Sequence, residues 1–304
     1  MAMKNRTSLF KSRLRWGEFS IRFWLILSAT VSVITTIAIV FLLLSESFVF
    51  FQTVSPIDFF LGTRWVPFIE PNSFGVLPLV WGTLQIAIGA ALIAIPLGLA
   101  CAIYLSEYAS DRVRSIIKPI LELLAGIPTV VYGYFALTAI TPLLQYIYPQ
   151  VQIFNSLSAA IVVGIMILPM VASLSDNALR SVPDSLRQGA YALGATSYEV
   201  TTKVVVPAGL SGVMASFLLA ISRAIGETMA VSLAAGMTPN LNINMFESIQ
   251  TMTAYIVQIS LGDTPTGTIA YQTLFAVATL LFVITLIINM ISQKILGKFH
   301  EVYD

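Results

Sequence analysis

Six stretches of the sequence are long and apolar enough to cross a membrane, and that constrains the fold more than any other feature. A helix needs about 20 apolar residues to traverse the hydrocarbon layer. The qualifying runs are residues 21–44, 76–105, 120–144, 157–174, 209–235 and 269–291. Lipid offers the backbone no hydrogen-bond partners, so runs of this kind are helices. Only 10% of the 304 residues are charged, against about 25% in a water-soluble domain. The mean hydropathy is +0.86. The expected fold is an all-α integral membrane protein with six transmembrane helices. The first run is too long for a signal-peptide core and lacks a small-residue cleavage site, so it reads as a permanent span.

Sidedness follows from lysine and arginine. Residues 1–22 hold six (Lys4, Arg6, Lys11, Arg13, Arg15, Arg22), and the loop after span two holds Arg112, Arg114 and Lys118. The loop after span four holds Arg180, Arg187 and Lys203, and the C-terminal segment holds Lys294 and Lys298. The alternate loops hold only Arg64, a bias of fourteen to one. Both termini are therefore expected on the cytoplasmic side. The organisation expected is a tail at 1–20, a first span with an outer segment at 21–75, five further helices at 76–291 with a cytoplasmic loop at 176–208, and a tail at 292–304. In the second long outer segment, "NMFESIQTMTAYIVQISL" reads as an ordinary loop, a membrane-surface element or a docking element.

Several function classes drop out. A net charge of +1 gives no case for nucleic-acid binding. One cysteine, Cys101 in an apolar run, excludes a disulfide within the chain, and with His300 as the one histidine a Cys/His metal site has too few ligands. The usual nucleophile and base constellations of an enzyme are absent as well.

The loop after span four is punctuated in detail. Ser181 and Asp184 have capping-box spacing around Pro183, which suits a first helical turn. Gly194 is a left-handed stop after "QGAYAL". Thr196 and Glu199 repeat the capping-box spacing, and Pro207 ends or kinks the second helix where span five begins. Helix, tight turn, helix is the expected form.

These residues resemble the signature of bacterial ABC importer permeases: an acidic residue and two alanines, a glycine four positions later, nine further residues, then isoleucine, any residue, leucine and proline. Gln188, Gly189 and Ala190 occupy the triplet, Gly194 the glycine, and Val204, Val206 and Pro207 the close. Gln188 is neutral, so its contact is a hydrogen bond and not a charge pair. "GTLQIAIGAALIAIPLGLACAIYLSEYA", "LLAGIPTVVYGYFAL" and above all "ISRAIGETMAVSLAAG" are similar to the PstC-type permeases of the phosphate-specific importer. The resemblance runs from about residue 74 to the end of span six. It implies the type I ABC importer permease fold and a multi-pass protein of the bacterial inner membrane. It further implies a homologous second permease (PstA type), a dimeric ATPase (PstB type) and an extracytoplasmic phosphate-binding protein (PstS type).

Independently of any family, Arg223 and Glu227 are the ionisable residues nearest the middle of a span, where charge is costly and by default functional. On a continuous helix, residues four apart share a face and can pair, either as a structural ion pair that fixes helix packing or as part of a transport path. Arginine's planar fork suits phosphate oxygens, and Glu227 would offset its field so that an anion can leave. Thr228 adds a hydroxyl. Glu122, near the end of span three, either faces the path or snorkels to the interface.

No G-x-x-x-x-G-K-[ST] loop occurs in the chain, so if ATP drives transport, ATP and Mg belong to a partner ATPase, as the resemblance implies, and this chain is expected to carry no cofactor. The resemblance then gives the capped loop the task of coupling to that ATPase. Other oxyanions, sulfate or phosphonate, fit a buried arginine too. A secondary transporter working without ATP explains the spans and the buried charges but not the capped loop.

Overall fold

A computed structural model describes residues 16–298. Most of the expected N-terminal tail, with Lys4, Arg6, Lys11, Arg13 and Arg15, and the end of the C-terminal tail, with His300, lie outside the described residues. Five helical runs are long and apolar enough to span a membrane: Ser20–Thr53, Leu77–Tyr108, Thr129–Ile147, Ser156–Arg180 and Ile269–Lys294. The sixth span begins with Leu210–Ile225, which the helical run Ser197–Ala208 precedes at an angle of 69°.

The first helix, α1 (Trp16–Thr53), has 38 residues. At about 1.5 Å per residue it is roughly 57 Å long, well beyond the ~30 Å of hydrocarbon. Its end joins α2 (Pro56–Leu61) and a two-stranded antiparallel hairpin, β1 (Trp65–Val66) with β2 (Ser73–Phe74). Rings from this outer segment form a cluster. Phe50 meets Phe59 and Phe74 edge-on, and Trp65 stands T-shaped on Tyr255 with ring centroids 4.9 Å apart. Tyr255 belongs to α13 (Met252–Leu261), whose Met252, Ala254 and Ile259 are also buried. The segment that reads as loop, surface or docking element is thus in part a packed helix of the core.

Span two is α3 (Leu77–Ile103), extended by a π-turn, Tyr104–Tyr108. The structure then departs from expectation. Residues 120–126 are not the start of span three; they end an amphipathic helix, α4 (Asp111–Gly126), capped by the Ser110 hydroxyl. Ile127 precedes Pro128 and takes ψ 130°, as the proline ring demands, so the helix stops and restarts. Span three is α5 (Thr129–Phe135), a π-turn (Ala136–Ile140) and α6 (Thr141–Ile147). Glu122 therefore lies outside the spans.

Span four, α7 (Ser156–Arg180), is the central post, with fifteen buried residues. It packs closely on α3 because both carry small residues at the seam. A Cβ on Gly98 would lie 2.7 Å from Val171 Cβ, and one on Gly89 2.8 Å from Ala160 Cβ. In lipid, backbone approach of this kind replaces the hydrophobic drive that water gives soluble helices. After α7 come α8 (Asp184–Ala192), α9 (Ser197–Val200), a π-turn (Thr201–Val205) and α10 (Val206–Ala208). Span five, expected as one helix over 209–235, is instead α11 (Leu210–Ile225), a break, and a short α12 (Met229–Ala234). Residues 237–251 fold back onto α7 and α3: Trp81 Nε1 donates to Asn242 O, and Leu157 N to Met245 O. The last span is α14 (Ile269–Lys298), which meets α1 through a Ser47–Thr279 hydroxyl pair at 2.7 Å.

Replacing Gly98 by valine forces α3 and α7 apart and should destabilise the chain by about 1–3 kcal/mol. Gly189→Ala, inside α8 where an added Cβ meets nothing within 4 Å, should not destabilise the chain and should stabilise it by up to about 1 kcal/mol. Thermal unfolding of the two purified variants in one detergent measures the contrast.

Candidate functional site

The residues singled out in the sequence fall mainly in two regions: the α8–α10 loop and the break between α11 and α12. In the loop, Gly194 takes φ +83°, the left-handed conformation that turns α8 into the next helix. No heavy atom lies within 4 Å of a Cβ built there, so its backbone, not crowding, requires glycine. Beyond the turn, the expected capping box is present. Glu199 N donates to Thr196 Oγ1 at 3.4 Å, and Thr196 N to Glu199 Oε2 at 3.1 Å. The Thr196 backbone N–H, then Lys203 Nζ at 3.0 Å and the Thr196 hydroxyl, hold the Glu199 carboxyl down to about 2. The first box does not form. α7 runs to Arg180, Ser181 becomes its C-cap with the hydroxyl donating to Ala178 O, and Pro183 precedes α8 without a side-chain cap.

Of the signature residues, Gln188 and Gly189 are exposed, and Ala190 packs beneath on Val182, Val200 and Val205. Pro207 is exposed two residues before Gly209, where the 69° bend into α11 lies. Leu193 and Tyr198, which sequence patterning did not single out, stand 90% and 70% exposed on either side of the Gly194 turn.

At the break, Arg223 lies in the last turn of α11 and Gly226 closes that helix. Arg223 is exposed and makes no hydrogen bond or ion pair among the described residues. Glu227 is 7% exposed and turned elsewhere: its Oε1 accepts from Ala230 N at 3.1 Å, stabilising the start of α12. The expected Arg223–Glu227 pair needs an unbroken helix, and Gly226 ends that helix between them. Thr228 Oγ1 donates to Gly226 O at 3.1 Å, and Thr253 Oγ1 to Glu227 O at 2.8 Å. One turn position from Arg223, Ser222 Oγ donates to Asn289 Oδ1 of α14 at 3.2 Å. Glu122, exposed on α4, is not brought to this break.

Two buried ion clusters also escaped the sequence reading. Asp176 of α7, with no exposed side-chain surface, takes Arg114 Nη2 at 2.8 Å and Lys118 Nζ at 3.2 Å from α4. Arg187 of α8 takes Glu107 at the end of α3, Nη2 to Oε1 at 3.1 Å. The available signal was a shortage: Glu107 and Asp176 are acids at span ends on the side where basic residues concentrate. Among the described residues no group of three or more His, Cys, Asp or Glu could hold a metal ion.

Residues 94–297 match the family model described as the binding-protein-dependent transport system inner membrane component. The chain is 36% identical over 245 residues to the probable ABC transporter permease protein YqgH of Bacillus subtilis, covering 81% of this chain and 79% of that one. To the phosphate transport system permease protein PstC of Mesorhizobium japonicum it is 34% identical over 263 residues, with 79% and 78% covered. A chain in the crystal structure of a bacterial alginate ABC transporter, in complex with an alginate pentasaccharide-bound periplasmic protein, superposes with a TM-score of 0.62 at 14% identity. That match covers 91% of this chain and 95% of the other. With six spans in the type I importer arrangement and a family match over two thirds of its length, the chain belongs to the inner membrane permeases of binding-protein-dependent ABC transport systems.

Proposed function

We propose that this permease carries inorganic phosphate through an ATP-driven importer, that Arg223 lies on the anion path, and that the α8–α10 loop receives the movement of a separate ATPase. The single observation that carries the proposal is Arg223, an exposed cation at the end of a broken span with no partner among the described residues. A charge at that depth is costly unless a function retains it. Its planar fork makes paired, charge-assisted hydrogen bonds to an oxyanion. Relatives named as phosphate transport permeases support phosphate as that oxyanion.

Glu227 takes a different part from the one its spacing suggests. Bound to the Ala230 N–H, it keeps the break open and ordered, and it leaves the Arg223 charge for the anion. Thr228 lies at the same break and offers its hydroxyl. On the other region, Gln188, Gly189, Leu193 and Tyr198 form the exposed face of a loop whose underside is apolar and packed. A polar residue, a bare backbone and two large side chains around a tight turn suit insertion in a protein cleft. On this reading the loop and the termini lie on the cytoplasmic side, with ATP and Mg held by the ATPase. A homologous second permease completes the path, and an extracytoplasmic binding protein delivers phosphate to the opposite face.

Arg223→Gln should assemble with its partners and lose phosphate uptake by at least ~100-fold, the size of about 3 kcal/mol of lost anion binding. Uptake of radiolabelled phosphate into vesicles holding the reconstituted transporter is the measurement, and a wild-type rate would remove Arg223 from the path. Gly194→Val strains the left-handed turn and should reduce phosphate-stimulated ATP hydrolysis; unchanged stimulation would separate the loop from coupling.

The Glu199 carboxyl has a lowered folded-state value, so its contribution is fully present above the ordinary unfolded value near 4.5 and is lost as pH falls through about 2. Between pH 5 and 8 hydrogen-exchange protection of the Thr196 amide should therefore be flat once intrinsic exchange is corrected, and Glu199→Gln should lower it throughout.

A further inference from the structure

Arg187 is the side chain that ties the loop to the spans. Its Nε and Nη2 reach the two oxygens of Glu107 at 3.4 and 3.1 Å. Nη2 also donates to Leu179 O at 2.8 Å, and Nη1 donates to Val182 O and to Asp184 Oδ1. Leu179 lies in the final turn of α7 and Val182 just beyond it, where helix carbonyls have no partners within the helix. Glu107 lies in the π-turn that ends α3. One guanidinium thus joins α8 to the ends of two spans, with 15% of its own side chain exposed and 8% of that of Glu107.

The covalent route from the loop to α11 is less direct. It turns through 69° at Gly209, so a displacement along α9 and α10 is not aligned with α11. Apolar contact also holds the loop to the spans. Val182, Val200 and Val205 share an apolar cluster with Ala102 of α3, Leu179 of α7 and Val213 of α11.

We infer that the Arg187–Glu107 pair is the link through which movement of the α8–α10 loop is transmitted to α3 and α7, both residues acting as positioning residues for coupled transport. The inference rests on the reading that this loop docks on an ATPase. An ion pair with bidentate geometry resists both separation and rotation, which apolar contacts resist poorly. A neutral partner at 107 keeps the shape and a single hydrogen bond but releases that hold.

The test uses the whole transporter, with ATPase and binding protein, reconstituted in lipid vesicles, and reads phosphate carried per ATP hydrolysed. Glu107→Gln should lower that ratio by at least ~5-fold, the lower end of ordinary coupling between sites, with basal ATP hydrolysis of the assembled complex unchanged. Glu107→Asp, which keeps the carboxylate, should recover part of the ratio. A wild-type ratio in assembled Glu107→Gln overturns the inference. Should Glu107→Gln fail to assemble, Arg187→Lys decides: it keeps the charge without the fork, and a wild-type ratio overturns the inference. If the wild-type complex shows no phosphate-stimulated ATP hydrolysis, the functional reading itself fails, and the inference with it.

Discussion

A helix can cross lipid without help from its neighbours, but it cannot stop there without help, because no water is present to satisfy the backbone it leaves open. That rule governs the break between α11 and α12. Glu227 supplies a carboxylate to the Ala230 N–H, Thr253 supplies a hydroxyl to Glu227 O, and Thr228 folds its hydroxyl back on Gly226 O. With those groups satisfied from within, Arg223 remains as the one charge at the break without a protein partner among the described residues. The satisfied backbone and the unsatisfied cation are two parts of one arrangement, and the second is meaningful because of the first.

The rest of the membrane part makes that break possible. α3 and α7 form a tight platform through glycine and alanine, and α11 joins it where a Cβ on Gly212 would meet Ala178. On this platform residues 237–251 are held in place by backbone and side-chain hydrogen bonds from Trp81, Gln85 and Ser156. At its other end, the α8–α10 loop sits on an apolar cluster shared by all three helices. The exposed Leu193 and Tyr198 are thus carried by something stiff rather than by a loose connection.

The features legible in the sequence were those governed by neighbours in the chain. Gly194 and the Thr196–Glu199 box are set by backbone conformation and spacing over four residues, and both form as read. The number of spans followed from apolar length. Boundaries failed where an apolar run concealed a local stop: Pro128 splits 120–144 into the end of α4 and the start of α5, and Gly226 splits 209–235. The Arg223–Glu227 spacing misled for the same reason, since it presumed a helix that Gly226 ends. Arg187–Glu107 and Asp176–Arg114 join residues 80 and 62 apart. No periodicity encodes a pairing over that distance; it arises only when α3, α4, α7 and α8 are brought together.

The hydrogen bond from Thr253 to Glu227 O has a consequence for how the chain is made. Its donor is translated 26 residues after its acceptor, so when α11 first leaves the ribosome the break beyond it still lacks a partner. α1, by contrast, is exposed along most of its length and self-sufficient, and nothing later need exist for it to enter the bilayer. Membrane integration of this protein is therefore staged. The first span is complete as it emerges, while the break beyond α11 gains its Thr253 partner only once α13 has been made.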